Sequence, residues 1–303
     1  MELAAELAAG LLLTLASSAA IARALESLGG RLGLRAGALG SLVFPLLSSL
    51  PELVVVVVAL ARGSPGVAEG TVMGEPLIVS TVALPALVIA ASFRRPPGLQ
   101  ASGRLAAQLA LFAATFSVVL FPWAVRLPDH LVPAALVAAY VAYFFIAKGA
   151  GEGLEGEGGL GASASLALLV ASLVGLYLGS QFMVSGVKAL SARLGVSEVA
   201  VSMFLVPAAT ALPESVAAGV WAAEGRGELA TYAIFGEMTL YSTIYPAAVM
   251  ELASWSVGPR ELAAFLAIEA SCVAAALQAR RGRITWPTAV VGLMGLLIVV
   301  LAA

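Results

Sequence analysis

Two glutamates follow the same Leu-Pro pair at corresponding places in the chain, Glu52 in SSLPE and Glu214 in TALPE, 162 residues later. Both stand inside apolar segments long enough to cross a bilayer. An acidic side chain at the bilayer centre costs about 2.5 to 3.5 kcal/mol on insertion scales, and acids at such places are functional by default. We therefore take both glutamates as candidates for binding a cation or a proton.

A second pair of glutamates, Glu75 and Glu237, repeats at the same offset of 162 residues. Glu52 lies eleven residues before the predicted turn at 63–66, and Glu75 lies nine residues after it. At the helical rise per residue they stand about 16 and 14 Å from the turn, so two antiparallel helices hold both carboxylates at nearly one level. The same arithmetic applies to Glu214 and Glu237, and the four acids are predicted to meet near the membrane midplane.

Four carboxylates at one level form an oxygen-lined site for a hard cation. Carboxylate, hydroxyl and carbonyl oxygens are the ligands that Ca²⁺ prefers, in shells of about six to eight. The proline of each Leu-Pro-Glu, and another proline six residues before it, leave a backbone carbonyl without its helical donor. The predicted metal ligands are the carboxylates of Glu52, Glu75, Glu214 and Glu237, the hydroxyls of Ser48, Ser49 and Thr210, and the carbonyls of Ser41, Leu47, Met203 and Ala209.

Three further polar residues are weaker candidates for lining an ion path. Ser80 and Ser242 repeat at the same offset, but hydroxyls in membrane helices often bond back to a carbonyl of their own helix. Glu269 lies about eight residues into a predicted helix, and its repeat equivalent is Ala107, so it has no symmetric partner. A proton relay, a counter-charge near the mouth and a packing role all stay open for Glu269.

The composition places these residues in a membrane. Of 303 residues, 61% are hydrophobic and 11% are charged, whereas a soluble domain carries about 25% charged residues. The sequence predicts an all-α integral membrane protein with ten transmembrane helices, at 3–27, 37–62, 67–93, 103–125, 129–148, 161–190, 198–223, 229–254, 261–279 and 285–302. One cysteine, Cys272, and one histidine, His130, exclude an internal disulfide and a histidine-based zinc site.

The chain repeats itself at the offset of 162 residues. Between 45 and 81, thirteen of 37 positions are identical to their equivalents, including prolines, glycines and glutamates. Five helices per repeat, an odd number, force the second copy to be inverted, and inverted repeats with interrupted helices place transporter sites at the midplane. We therefore expect a first five-helix repeat at 1–148, an acidic Gly-rich linker at 149–160 and a second five-helix repeat at 161–303.

The basic residues predict how the chain is oriented. With the N-terminus outside, eleven of the 16 Lys and Arg residues fall on the cytoplasmic side, and the positive-inside bias then puts both termini outside. No basic region precedes the first apolar run, so we expect the first helix to be retained. The expected location is the plasma membrane. The expected partners are the lipid bilayer and small inorganic cations, with no nucleic acid and no cofactor, and the sequence is compatible with a monomer.

These motifs resemble those of the sodium/calcium exchanger family, within the cation/calcium antiporter superfamily. Each of that family's two repeats carries a Gly-Thr-Ser-Leu-Pro-Glu signature on one helix and a Gly-Ser-Asn signature on the next. Residues 47–52 and 209–214 are similar to the first signature but lack its glycine. In place of the second signature stand Gly-Glu-Pro at 74–76 and Gly-Glu-Met at 236–238. The replaced serine helps to form the sodium sites of the family.

The resemblance implies alternating access at a central site, where a divalent cation is exchanged for monovalent ions. The residues themselves indicate a cation site that also takes up protons, because neighbouring carboxylates repel one another. We expect a secondary active antiporter that exchanges Ca²⁺ for Na⁺ or H⁺. Transport of Mg²⁺ or Mn²⁺, Na⁺/H⁺ exchange and a cation channel are the alternatives. An intramembrane enzyme is disfavoured because the sequence has no Ser/His, Cys/His or His-rich constellation.

Overall fold

The computed structural model of the chain describes residues 2–32, 49–93, 97–119, 130–147, 160–225, 227–253 and 257–302. Apolar helices dominate them. The helices are α1 (Glu2–Leu32), α2 (Leu50–Ala61), α3 (Pro65–Ile78), a π turn (Val79–Ala83), α4 (Leu84–Ser92), α5 (Gly103–Val118), α6 (Leu131–Ala147), α7 (Ala162–Leu194), α8 (Glu198–Glu224), α9 (Gly227–Tyr241), α10 (Ile244–Leu252), α11 (Pro259–Ala279) and α12 (Trp286–Ala302). Two short strands, β1 (Leu99–Gln100) and β2 (Arg283–Ile284), complete the elements.

Among the described residues, four helical segments are long and apolar enough to cross a membrane by themselves. They are Leu3–Ile21, Pro65–Ser92, Ala162–Leu194 and Pro259–Ala279. Several shorter apolar helices accompany them, including α2, α5 and α12. A helix needs about 20 apolar residues to span the hydrocarbon layer. The prediction of a helical membrane protein is therefore confirmed.

The chain divides into two compact units. The first unit comprises Met1–Thr71 and Lys148–Pro213, and the second comprises Val72–Ala147 and Glu214–Ala303. Each unit thus takes residues from both halves of the chain, and α3 and α8 each contribute to both units.

In the first unit, α1 and α7 pack along each other in opposite directions. Small residues let their backbones approach, as in many membrane helix pairs. Close pairs include Gly10 with Met183, Thr14 with Gly179, and Ser17 with Gly175. Residue numbers rise along α1 while they fall along α7, so the two helices are antiparallel. A second contact of this unit joins α2, α7 and α8. There the buried residues Val55 of α2, Met183 of α7, and Val206 and Ala209 of α8 form an apolar cluster.

In the second unit, α11 packs against α5 and α12, and α12 in turn packs against α4 and the π turn. The strands join two connections of this unit, because Leu99 pairs with Ile284 and Gln100 pairs with Arg283 in antiparallel register. At the other end of the unit, His130 Nδ1 lies 3.2 Å from the carboxylate of Glu251, which links the start of α6 to the end of α10.

The α-helical hydrogen-bond pattern is interrupted within two of the predicted helices. The predicted segment 67–93 consists of α3, the π turn and α4, and the predicted segment 229–254 consists of α9 and α10 with a break at Ser242 and Thr243. The repeat itself explains why the two interruptions differ. Thr81 precedes Pro85 by four residues, whereas Thr243 precedes Pro246 by only three. A π turn holds more residues per turn than an α-helix, and it absorbs the extra residue of the first copy.

Candidate cation-binding site

Glu52 lies buried in the first turn of α2, in the first unit, and only 3% of its surface is exposed. Ser49, the N-cap residue, is also buried, and its carbonyl accepts a hydrogen bond from the Leu53 amide at 3.0 Å. Pro51 occupies the first turn of α2, a position at which the fixed φ angle of proline fits a helix. The amide groups at a helix N-terminus favour negative charge. Glu52 is therefore the acidic residue in the first turn of α2.

The equivalent segment in α8 is a continuous helix through both of its prolines. Thr210 is buried, and its hydroxyl donates to the carbonyl of Val206 at 3.1 Å. Pro207 and Pro213 have no N–H to offer to the carbonyls of Met203 and Ala209, and a role of these two carbonyls as ligands stays a prediction. The main chain of Glu214 lies in α8, but its side chain is outside the described residues. Ser41, Leu47 and Ser48 also lie outside the described residues.

Glu75 and Glu237 both lie in the second unit and both are buried. Glu75 on α3 is 3% exposed and Glu237 on α9 is 6% exposed. Each follows a glycine and precedes an interruption of its helix by a few residues. The second signatures thus place one buried acid on each of two interrupted helices. Among the side chains described within either unit, no group of three or more His, Cys, Asp or Glu residues is arranged to hold a metal ion.

The hydroxyls after these acids bond within their own helices in the same way in both copies. Ser80 and Thr81 donate to the carbonyl of Leu77, at 3.4 and 2.6 Å. Ser242 and Thr243 donate to the carbonyl of Thr239, which is the repeat equivalent of Leu77. Hydroxyls that bond back to the preceding turn bend helices. A role of Ser80 and Ser242 in lining an ion path stays a prediction, and the hydrogen bonds that their hydroxyls donate are local.

Hydroxyls from other helices reach both interruptions. The Ser271 hydroxyl on α11 donates to the Ser80 carbonyl in the π turn at 2.7 Å. Gly292 on α12 also lies close to that carbonyl, and a Cβ atom there would stand 2.8 Å from the same oxygen. The Thr115 hydroxyl on α5 donates to Ser242 Oγ at 2.9 Å. Both interruptions are therefore fixed by hydrogen bonds from a neighbouring helix.

A third polar link reaches the helix of Glu237 two residues before the acid. The side-chain amide of Gln108 on α5 donates to the carbonyl of Phe235 at 3.0 Å and to the Tyr143 hydroxyl on α6 at 2.8 Å. Gln108, Tyr143 and Phe235 are all buried. Gln108 and Thr115 lie seven residues apart on α5, and their partners Phe235 and Ser242 lie seven residues apart in the same order. The helices α5 and α9 therefore run in the same direction.

Sequence reasoning missed several of these residues. Glu69 on α3 is buried at 4% exposure, but its repeat equivalent is Thr231, so a search for paired acids passes over it. Gln108, Thr115 and Ser271 were missed because an amide or hydroxyl hardly changes the hydropathy of a long apolar run. Such contacts are indicated in the sequence by polar side chains within predicted membrane helices, because these side chains form hydrogen bonds with neighbouring helices.

Glu269 lies on α11, which carries neither a Leu-Pro-Glu motif nor a second signature. It is partly buried on α11, and its Oε1 atom accepts a hydrogen bond from the Ser117 hydroxyl on α5 at 3.4 Å. Its role in an ion path stays a prediction.

Comparison with known proteins places these features in a family. The family model described as "Sodium/calcium exchanger protein" matches residues 3–148 and 164–303. No curated protein matches the chain by sequence. Among solved structures, the H⁺/Ca²⁺ exchanger CAX is 15% identical with a TM-score of 0.77, and the match covers 99% of this chain and 81% of that one. Native YfkE is 15% identical with a TM-score of 0.76, covering 98% of this chain and 91% of that one. The sodium-calcium exchanger NCX_Mj, soaked with Na⁺ and Sr²⁺, is 17% identical with a TM-score of 0.63, covering 99% and 97%.

Proposed function

Because this chain belongs to the sodium/calcium exchanger family, we propose that it is a secondary active antiporter that exchanges a divalent cation, Ca²⁺ first, for H⁺ or Na⁺. The observation that carries the proposal is the pair Glu75 and Glu237. These two acids are buried at repeat-equivalent places on interrupted helices of one unit. Buried acids in a membrane protein mark ion and proton pathways by default.

The proposed ion site comprises the four glutamates of the two repeats. Glu75 and Glu237 supply carboxylates in the second unit, and the burial of Glu52 in the first turn of α2 supports its assignment. Glu214 joins them by the symmetry of the repeat. Hydroxyls of Ser48, Ser49 and Thr210 and carbonyls of Ser41, Leu47, Met203 and Ala209 would complete the six to eight oxygens, approximately, that Ca²⁺ takes.

The proposed architecture is ten membrane-spanning helices in two inverted repeats of five. The antiparallel packing of α1 and α7 supports inversion, because α7 is the repeat equivalent of α1. The parallel course of α5 and α9 also agrees, because these are the fourth and eighth helices of such a chain. We place the protein in the plasma membrane with both termini outside, from the distribution of Lys and Arg. Alternating access between inverted halves then moves the ion across.

The second signatures favour H⁺ as the counter-ion. Glutamate stands in both copies where the family has the serine that helps to form sodium sites. A serine hydroxyl keeps its proton, whereas a carboxylate releases a bound cation when it is protonated. Protonation of Glu75 and Glu237 would therefore compete directly with Ca²⁺.

Uptake of ⁴⁵Ca²⁺ into proteoliposomes tests the proposal. Purified protein is reconstituted, and uptake is measured against an imposed H⁺ gradient, an imposed Na⁺ gradient and no gradient. We expect uptake to follow the H⁺ gradient, and to be lost when Glu75 and Glu237 are both changed to glutamine. Unlabelled Mg²⁺ and Mn²⁺ are added as competitors to rank the divalent cations. No uptake under either gradient would contradict the proposal, and single-channel currents would favour a pore.

A further inference from the structure

Glu269 occupies the middle of a membrane-spanning helix at the edge of its outer face. It is ten residues from each end of α11, Pro259–Ala279. The exposed residues Leu266, Val273 and Leu277 form an apolar stripe along this helix, and an apolar stripe on a spanning helix faces lipid. Glu269 projects from the border of this stripe toward α5, where Ser117 lies. The carboxyl group therefore sits between two helices at the boundary with lipid.

Among the described residues, the hydrogen-bond partner of this carboxyl group is a hydroxyl. The Ser117 hydroxyl donates to Glu269 Oε1 at 3.4 Å. One turn before Glu269, the Phe265 ring stacks on Phe116 of α5 with ring centroids 5.0 Å apart, and Phe116 stacks on Phe112 at 5.2 Å. A carboxylate at mid-membrane depth costs about 2.5 to 3.5 kcal/mol, and a proton removes its charge.

Among the residues that the structure describes, the other ionisable groups on the elements packed against α11 lie away from this position. On α5, the described ionisable residue is Arg104, thirteen residues from Ser117, or about 20 Å along the helix. The π turn and α12 carry no ionisable side chain in their described residues, and β2 carries Arg283 beyond the end of α11. On α11 itself, the nearest ionisable group is the buried thiol of Cys272, and Arg260 and Glu261 lie in the first turn.

The same two helices reach the interrupted helices from the residues next to this contact. Thr115, two residues before Ser117, donates to Ser242 at the break after α9. Ser271, two residues after Glu269, donates to the Ser80 carbonyl in the π turn after α3. A shift of α5 against α11 at the Ser117–Glu269 contact would therefore move the hydrogen-bond donors of both interruptions. One interruption follows the buried acid Glu75, and the other follows the buried acid Glu237.

We propose that Glu269 and Ser117 form a second proton-binding site, on the contact between α5 and α11, which is coupled to ion exchange through Thr115 and Ser271. The site binds and releases a proton at the lipid boundary, separately from Glu75 and Glu237. The coupling rests on the proposed function, whereas the proton site does not.

A hydrophobic carbodiimide tests the proton site directly. Dicyclohexylcarbodiimide partitions into lipid and reacts with a protonated carboxyl group. The carboxyl oxygen bonds to the central carbon of the reagent, the proton moves to one of its nitrogens, and the acyl group then migrates to nitrogen to leave a stable N-acylurea. Full-length protein in proteoliposomes is treated at a series of pH values from acidic to alkaline, and the adduct is located and quantified by peptide mass spectrometry.

We expect an adduct on Glu269 that is strongest at acidic pH and is lost at alkaline pH. The variant Glu261→Gln, on the same helix at the membrane boundary, is the matched control and should keep the adduct, whereas Glu269→Gln should lack it. An absent adduct on Glu269, or one that is equally strong throughout the pH series, would overturn the proton site.

The coupling is tested by ⁴⁵Ca²⁺ exchange as a function of pH in the same proteoliposomes. We expect Glu269→Gln to change the pH profile and Glu261→Gln to leave it unchanged. Superimposable profiles for Glu269→Gln and the wild type would overturn the coupling. If the wild type shows no exchange under any gradient, the proposed function and the coupling both fail, and the carbodiimide result still decides the proton site.

Discussion

The side-chain amide of Gln108 donates a hydrogen bond to the backbone carbonyl of Phe235, two residues before the buried acid Glu237, with an Nε2···O distance of 3.0 Å. The same nitrogen donates to the Tyr143 hydroxyl at 2.8 Å. Three helices, α5, α6 and α9, therefore share one amide in the apolar interior of the second unit. The link fixes the turn of α9 from which Glu237 projects, and it is a contact that neither repeat symmetry nor the family signatures indicate.

Replacing Gln108 by alanine is expected to destabilise the protein. Hydrogen bonds between membrane helices are worth about 0.6 to 2 kcal/mol, and a buried polar group that loses its partner costs about 1 to 3 kcal/mol. We expect Gln108→Ala to lose about 2 kcal/mol of stability, seen as a lower thermal unfolding midpoint in detergent. Gln181→Ala is the control, because Gln181 uses its backbone carbonyl, not its side chain, to accept from Arg62. Equal midpoints for the two variants would contradict this role of Gln108.

The contact between α1 and α7 predicts an effect of one added methyl group. A Cβ atom at Gly179 would lie 2.6 Å from Thr14 Oγ1 and 2.9 Å from the Thr14 amide nitrogen. Backbone atoms cannot move aside as a flexible side chain can, and overpacking costs about 1 to 3 kcal/mol. Gly179→Ala should therefore lower the thermal midpoint. Gly219→Ala on α8 should not, because no described atom lies within 4 Å of its added Cβ. A midpoint for Gly179→Ala at or above that of the wild type would show that the helices do not pack as described.

Removing the Ser271 hydroxyl is expected to affect transport more than stability. Its removal in Ser271→Ala takes a donor from the Ser80 carbonyl, and a hydrogen bond of this kind contributes only about 1 kcal/mol. The carbonyl belongs to the π turn that follows Glu75, however, so the position of the acid depends on it. We expect a weaker apparent affinity for Ca²⁺ in the flux assay with a small change in thermal midpoint. Ser172→Ala is the control, because that hydroxyl only bonds back to Leu168 in its own helix. Matching affinities in the two variants would argue against the contact.

The number and position of many helices can be predicted from the sequence, because the thickness of the bilayer sets the length of an apolar segment that crosses it. The family predicted from Leu-Pro-Glu and its spacing is confirmed. The repeat also anticipated paired turns, since Gly63 and Gly225 are equivalent and have φ values of 64° and 90°. Glycine adopts this left-handed conformation without strain, so the two turns keep their glycines while the residues around them differ.

Details that depend on single residues were not predictable in the same way. The π turn at Val79–Ala83 results from one extra residue before Pro85, which a gapless comparison of the two halves does not register. Glu69 was overlooked because its repeat equivalent is Thr231, so the repeat does not mark it as it marks the four paired glutamates. The links made by Gln108 and Ser271 depend on which helices become neighbours, and hydropathy carries no information about that choice.

The glutamates of the second signatures predict which gradient drives transport. Changing Glu75 and Glu237 together to serine restores the residue that the family has at these places, and it removes two carboxylates that can take up protons. Loss of even a residue that hydrogen-bonds to a metal's ligand lowers affinity or activity about 10- to 100-fold. We therefore expect Ca²⁺ uptake driven by an H⁺ gradient to fall by about tenfold or more. Any uptake that remains should respond to Na⁺ instead.

The double variant Glu75→Gln with Glu237→Gln separates the loss of the carboxylates from the gain of the serine hydroxyls. Glutamine keeps the size of the side chain but supplies neither the proton nor the serine hydroxyl. Glu224→Gln, at the exposed end of α8, is the matched control and should behave as the wild type. If the double serine variant keeps its full response to the H⁺ gradient, then Glu75 and Glu237 do not carry the transported protons.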